Sequence, residues 1–404
     1  MKKIPLSSPD IGPRELDLIN EVLRTPYLSM GPMIERFEKA VATYLGVRHA
    51  VAVSSGTAGL HLAVIASRIG EGDTVITTPF SFVATANVIL YERAIPVFVD
   101  VDSATGNIDP SLVAECVYDL SKGRESAKRC LPPSIRNRPS AIANLRAILP
   151  VHCFGQPADM DPIIETAQQD HLMVIEDACE AIGAEYKGRK VGTLGDVAVY
   201  GFYPNKQITT GEGGIVVTNQ KGWNFLFRSL RNQGRDFCNE RLNHERLGYN
   251  YRLGEMSAAL GLAQIKRIEE LLAKREQVAK WYNERLADTE LIERPHIAST
   301  TTRMSWFVYV VRIKPPAHRD EVMHKLAEAG IPSRPYFTPI HLQPFYQDRF
   351  GYKRGDFPTA EYLGDVSLAL PFSGVMTEEQ VEYVCNGLRK VLQKKISKFK
   401  AIKG

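Results

Sequence analysis

The chain predicts an α/β fold: a mostly parallel sheet flanked by helices over residues 1–265, then a smaller C-terminal α+β domain over residues 266–404. Three observations lead to this expectation. From Ala50 to Asp177, short apolar runs of strand length alternate with helical stretches, the pattern of parallel βαβ units. A long helical stretch from Ser257 to about Arg285 then carries the chain out of that alternation. Beyond it, the strand Phe307–Val311 and the helix Arg319–Gly330 belong to a shorter, mixed arrangement.

Composition limits the function classes. At 404 residues, with 44% hydrophobic and 24% charged residues, the chain reads as an ordinary soluble protein of two domains. A formal charge of +4, with no long basic run before the tail Lys394–Lys400, argues against nucleic acid as a partner. The N-terminus lacks an apolar signal core and no run approaches a membrane span, so a cytoplasmic protein with no membrane partner is expected. The six cysteines, at 116, 130, 153, 179, 238 and 385, form no CxxC or Cys/His pattern. They read as reduced, mostly buried thiols, and no metal site is expected.

Taken in order, Asp10 is placed to cap a helix whose apolar face runs from Leu16 to Leu23. Ser29–Pro32 is turn chemistry, and a second amphipathic helix spans about Met33–Leu45. The strand Ala50–Val53 runs into Ser54-Ser55-Gly56-Thr57-Ala58 and an apolar helix. Strand, small-residue turn and helix together offer free amides and a positive helix end to a phosphate, and the hydroxyls of Ser55 and Thr57 add donors. Thr74–Thr77 is a strand, and Pro79–Asn87 leads into a helix in which one of Phe80 and Phe82 belongs to the core. Pro96–Asp102 is the next strand. Ser121–Arg146, rich in Lys, Arg, Ser and Pro, reads as a partly mobile surface insertion, a solvated loop before a holder of anions. The sheet resumes at Ala147–His152. A helix covers Phe225–Arg231, and polar loops at 232–235 and 248–252 precede the long helix.

The chemistry concentrates in Val197–Thr218, VAVYGFYPNKQITTGEGGIVVT. Two apolar strands bracket Lys206 and a run of glycines. A surface hairpin with a solvated lysine fits this window alone. A lysine held in an apolar pocket, however, loses its proton more easily and can attack a carbonyl, and glycines let a large ligand approach the backbone. Upstream, HLMVIEDACE places Asp177 at the carboxyl end of a buried strand, where open α/β sheets bind ligands. Asp177 alone reads as a helix cap. With Lys206 it matches what pyridoxal phosphate needs: a lysine for the Schiff base and a carboxylate that keeps the pyridine nitrogen protonated.

The motifs SSGTAGLHLA, PFSFVATAN, VHCFGQPADMD, EDACEAIGA, NKQITTGEGG, LGYNYRLGEMSAALGLAQ and PIHLQPFY, in that order, resemble the DegT/DnrJ/EryC1/StrS sugar aminotransferases, which are fold-type-I pyridoxal phosphate enzymes. The resemblance spans nearly the whole chain. It implies that Lys206 is the Schiff-base lysine, Asp177 the partner of the pyridine nitrogen, and Phe82 the ring stacked on the cofactor. It implies that Gly56, Thr57 and Ala58 form the phosphate turn, that Glu180 lies beside the cofactor, and that Asn250 reaches the phosphate of the opposite subunit of a homodimer. Tyr336 and His341, in a proline-bounded loop, are expected at the substrate. Gly201 stands where many relatives carry a phosphate-binding serine, so that contact is not expected.

The implied reaction takes an amino group from an amino acid, L-glutamate, to a nucleotide-linked 4-keto-6-deoxy sugar for surface polysaccharide, with TTGEGG and Glu180 leaning toward C4-acting members such as GDP-perosamine synthases. Dehydratases of the family carry histidine in place of the lysine, which Lys206 argues against. A non-catalytic regulator that keeps the fold is the other alternative, disfavoured by the intact Lys206 and Asp177. A nicotinamide dehydrogenase would need GxGxxG after the first strand, where Ser54-Ser55-Gly56-Thr57 stands.

Overall fold

The computed structural model describes residues 4–137, 144–235 and 243–403. Strands of the main sheet are β1 (His49–Val53), β2 (Thr74–Thr77), β3 (Ile95–Phe98), β4 (Leu145–Leu149) and β5 (Met173–Asp177). After two short strands, β6 (Glu185–Tyr186) and β7 (Arg189–Lys190), come β8 (Val197–Gly201) and β9 (Gly214–Thr218). The order across the seven-stranded sheet is β1-β9-β8-β5-β4-β2-β3. From β8 to β3 the pairs are parallel, and β9 is antiparallel to both its neighbours. Every residue of β2, β8 and β9 is buried, so these strands read as continuous apolar runs because helices cover both faces.

The smaller sheet contains β10 (Ile292–Glu293), β12 (Tyr309–Ile313), β13 (Arg334–Pro335) and β14 (Ser367–Leu370), in the order β10-β12-β14-β13. A third sheet joins β11 (Thr301–Arg303) to β6 and β7. The core of the smaller sheet includes Tyr282, Tyr309, Leu388 and also Ile4 from the opposite end of the chain. The amide of Phe372 donates to the Leu6 carbonyl at 2.9 Å. The first residues therefore pack with the C-terminal part, which a division of the chain at 265 does not anticipate.

Some local expectations need correction. Asp10 does not cap the first helix, which spans Pro13–Leu23; the Glu15 carboxylate accepts the Gly12 amide at 2.7 Å instead. Asp10 pairs with Arg267 at 2.7 Å and Lys274 at 2.8 Å. The single long helix from Ser257 is two helices, Glu255–Lys266 and Ile268–Arg285, broken at Arg267, whose guanidinium binds Asp10, Glu15 and Glu270. The described part of the 121–146 segment is not a purely solvated loop. Two 3-10 turns, Glu125–Arg129 and Pro133–Ile135, set Ala127, Leu131 and Ile135 into the main core, and Leu145 and Arg146 already belong to β4. Its remainder, residues 138–143, lies outside the described residues, as does Cys238. Cys116, Cys130, Cys153, Cys179 and Cys385 are free thiols. Among the described residues no helix is long and apolar enough to cross a membrane, and no His/Cys/Asp/Glu group has the makings of a metal site.

Candidate active site

At the carboxyl end of β5, adjacent residues divide the work of holding and presenting charge. Side chains alternate along a strand, so Glu176 and Asp177 point to different sides. The buried Glu176 carboxylate accepts the amides of Gly192, Leu194 and Gly195 at 2.6–2.8 Å and His152 Nε2 at 3.0 Å. His152 Nδ1 accepts the Ala158 amide at 3.0 Å, which leaves the ring proton on Nε2. Burial works to raise the Glu176 carboxyl, but these hydrogen bonds outweigh it and hold the group below the ordinary carboxylate range. This anchor fixes the strand end from which Asp177 projects.

Asp177 lines a cavity of about 430 Å³. Thr85 Oγ donates to its Oδ2 at 2.7 Å, the Cys179 amide donates to Oδ1 at 3.1 Å, and Ser81 Oγ lies 3.1 Å from Thr85 Oγ. Lys206 lies on the same cavity, in the connection between β8 and β9. These strands form an antiparallel pair, but they are fully buried interior strands of the main sheet and not a surface hairpin. Lys206 Nζ sits 3.7 Å from the centre of the Phe307 ring and 3.4 Å from Glu180 Oε1. The other Glu180 oxygen accepts the Phe154 amide at 3.0 Å. Burial, opposed by Lys206, pushes the Glu180 carboxyl up.

Gly56 and Thr57 open the helix Gly56–Ala66 on the third wall. Their amides lie in its first turn and have no partner within the helix. The Ala58 amide is not free: Ser55 Oγ accepts it at 3.0 Å, so Ser55 acts as the helix cap. Close packing explains the glycines. A Cβ on Gly56 would stand 2.8 Å from Cys179 Sγ, and one on Gly214 would stand 2.6 Å from the Ser55 carbonyl. Gly201 also lines the cavity.

Phe82 stands at the rim, 62% exposed, whereas Phe80 is buried. Tyr336 lines the cavity, and burial pushes its phenol up to about 12, so it stays protonated near neutrality. Asn250 is exposed and does not line this chain's cavity. His341, expected at the substrate, is instead fully buried, with Nε2 3.0 Å from Glu361 and its ring against Phe357. A carboxylate twenty residues on pairs with Nε2 inside the aromatic loop, while Nδ1 has no partner among the described residues.

Residues 9–389 match the model of the DegT/DnrJ/EryC1/StrS aminotransferase family. The chain belongs to this family. It is 39% identical to the GDP-perosamine synthase of Caulobacter vibrioides, over 97% of this chain and 99% of that one. It is 34% identical to the spore coat polysaccharide biosynthesis protein SpsC of Bacillus subtilis, over 96% and 97%. Among solved structures, DesV of S. venezuelae superposes with a TM-score of 0.84 at 30% identity, over 96% of this chain and 98% of that one.

As a member of the DegT/DnrJ/EryC1/StrS family the chain is a pyridoxal-phosphate-dependent sugar aminotransferase. The residues present fit the cofactor. The free first-turn amides of Gly56 and Thr57 would hold the phosphate, Asp177 the ring nitrogen and Lys206 the aldehyde carbon. Sequence reasoning missed Thr85, Phe307 and Ser81. The spacing of Ser81 and Thr85, four apart within PFSFVATAN, was the one available signal for the pair behind Asp177.

Proposed function

We propose that this aminotransferase moves an amino group from L-glutamate to C4 of a nucleotide-linked 4-keto-6-deoxy sugar, for surface polysaccharide or a related glycan. The observation that carries the substrate class is the likeness to GDP-perosamine synthase over nearly the full length of both chains. A groove of about 820 Å³ supports it. The groove shares Ser81, Phe82 and Phe337 with the cavity and continues past Tyr91, Phe345 and Arg349. Aromatic faces suit a base, and a guanidinium suits a diphosphate.

The bound cofactor supplies a sink for the electrons released when the amine-bearing carbon loses its proton. Lys206 Nζ would hold the cofactor, and its amine would carry the proton to and from the amine-bearing carbon. Asp177, fixed by Thr85 and the Cys179 amide, would keep the ring nitrogen protonated. Tyr336 and Phe337 line the same cavity. The free thiols accord with a cytoplasmic setting. Purified protein given glutamate and a panel of nucleotide-linked keto sugars is expected to yield a 4-amino sugar, identified by mass and NMR. Amination of only 3-keto sugars, or of none, would refute this assignment.

The same reading includes a homodimer whose sites are completed in trans by Asn250. Its support is the exposure of Asn250 and of Leu247, 84% exposed, in the loop that precedes the helix Glu255–Lys266. Lys206→Ala and Asn250→Asp proteins are each expected to be inactive. Mixed under conditions that exchange subunits, they should recover roughly a quarter of parental activity, because half of the dimers then hold one intact site. A mixture that stays inactive while tags demonstrate exchange would place Asn250 in its own chain's site.

A further inference from the structure

Arg275 is buried on the helix Ile268–Arg285, 3% exposed, between Leu271 and Leu272, which pack the main core, and Val278 and Ala279, which pack the smaller one. Burial alone shifts its guanidinium, down to about 10, and no carboxylate partners it among the described residues. A charge of this kind is costly to bury without compensation. Its compensation is four backbone carbonyls. One terminal nitrogen donates to Lys206 O at 2.5 Å and Asn205 O at 3.3 Å; the other donates to Trp306 O and Phe307 O, each at 3.2 Å. The two segments so joined are the one that carries Lys206 and the one that sets the Phe307 ring 3.7 Å from Lys206 Nζ. Gln207 also links the same segments, its Nε2 donating to Glu180 O at 2.6 Å and Ser305 Oγ at 2.8 Å.

We propose that Arg275 is a positioning residue for the lysine: by gripping the carbonyls of Asn205, Lys206, Trp306 and Phe307, it holds Lys206 Nζ and the Phe307 ring in reacting register and ties the smaller core to the amine chemistry. A guanidinium suits this task because its planar fork donates from fixed directions to two strands of backbone at once. Rigid placement matters because a displacement of about 1 Å at a reacting atom costs on the order of a hundredfold. The inference rests on the assignment of Lys206 as the Schiff-base lysine.

The test uses full-length protein stripped of cofactor. Stopped-flow absorbance follows Schiff-base formation with added pyridoxal 5′-phosphate, and borohydride trapping with peptide mapping identifies the lysine. Arg275→Met is expected to slow formation about tenfold to a hundredfold, and to lower kcat comparably while KM for glutamate changes less than about threefold. Arg275→Lys, which keeps the charge and reaches fewer carbonyls, is expected to recover part of that loss. Tyr282→Phe is the control, since Tyr282 lies on the same helix and its hydroxyl donates a buried hydrogen bond to Pro371 O and not to the carbonyls that Arg275 grips. It should form the Schiff base at the parental rate despite a lowered melting temperature.

A parental rate in Arg275→Met would overturn the proposal, as would Tyr282→Phe slowing as much as Arg275→Met. Should Arg275→Met not fold, Arg275→Lys decides: slowing of severalfold supports the role, and a parental rate contradicts it. Trapping of a lysine other than Lys206 in the parent protein would instead sink the assignment beneath it.

Discussion

Lys206→Ala is expected to lower amine transfer from glutamate by at least about a thousandfold, while leaving the fold intact. The amine that would carry the proton disappears, and among the described residues no second lysine lines the cavity to replace it. The structural cost is small. Lys206 Nζ makes one long contact with Glu180 and rests on the Phe307 ring. Glu180, which burial already pushes toward its neutral form, tolerates loss of the cation. Single-turnover absorbance with glutamate measures the effect, and a circular dichroism melt should stay within about 3 °C of the parent. Activity within tenfold of the parent would show that another group moves the proton.

Asp177→Asn is expected to cost about a hundredfold or more in turnover, with little loss of stability. The surrounding hydroxyls explain the asymmetry. The Cys179 amide can keep donating to the amide oxygen. Thr85 Oγ can accept from the new NH2 and redirect its own proton to Ser81 Oγ, 3.1 Å away. The folded state therefore loses about 1 kcal/mol or less, measurable by urea denaturation. An amide cannot keep the ring nitrogen protonated, so the electron sink weakens although the cofactor site stays shaped. Equal turnover in mutant and parent would remove Asp177 from the chemistry; a large loss of stability would make its role structural.

The parts of this molecule that sequence revealed are those where a residue violates its local pattern. Lys206 between two apolar strands and Asp177 at the end of one stand out for that reason, as does the turn from β1 into Gly56. The alternation of β2, β3, β4 and β5 with helices was equally legible, because buried parallel strands carry unbroken apolar runs. Residues that complete the site through distant contacts were not. Arg275 sits in a polar-looking run, KREQVAK, and its burial shows only in its spacing from Leu271, Leu272, Val278 and Ala279.

Where the reading went wrong, a long-range partner decided. Asp10 had the right chemistry for a cap, but Arg267 and Lys274 claim it from more than 250 residues away. The same Arg267 marks a helix break that continuous helical periodicity conceals. His341 looked placed for substrate, and Glu361 holds it inside. Ala127, Leu131 and Ile135, spaced by four, were hidden by the charged residues around them.

The central claim is that Lys206 is the residue that bonds the cofactor. Reduction of the purified holoenzyme with borohydride, followed by proteolysis and mass mapping, tests it most directly. The pyridoxyl mass is expected on the peptide that contains Lys206, and its absence is expected in Lys206→Ala. A stoichiometric adduct on a different lysine, with the Lys206 peptide unmodified, would contradict the claim.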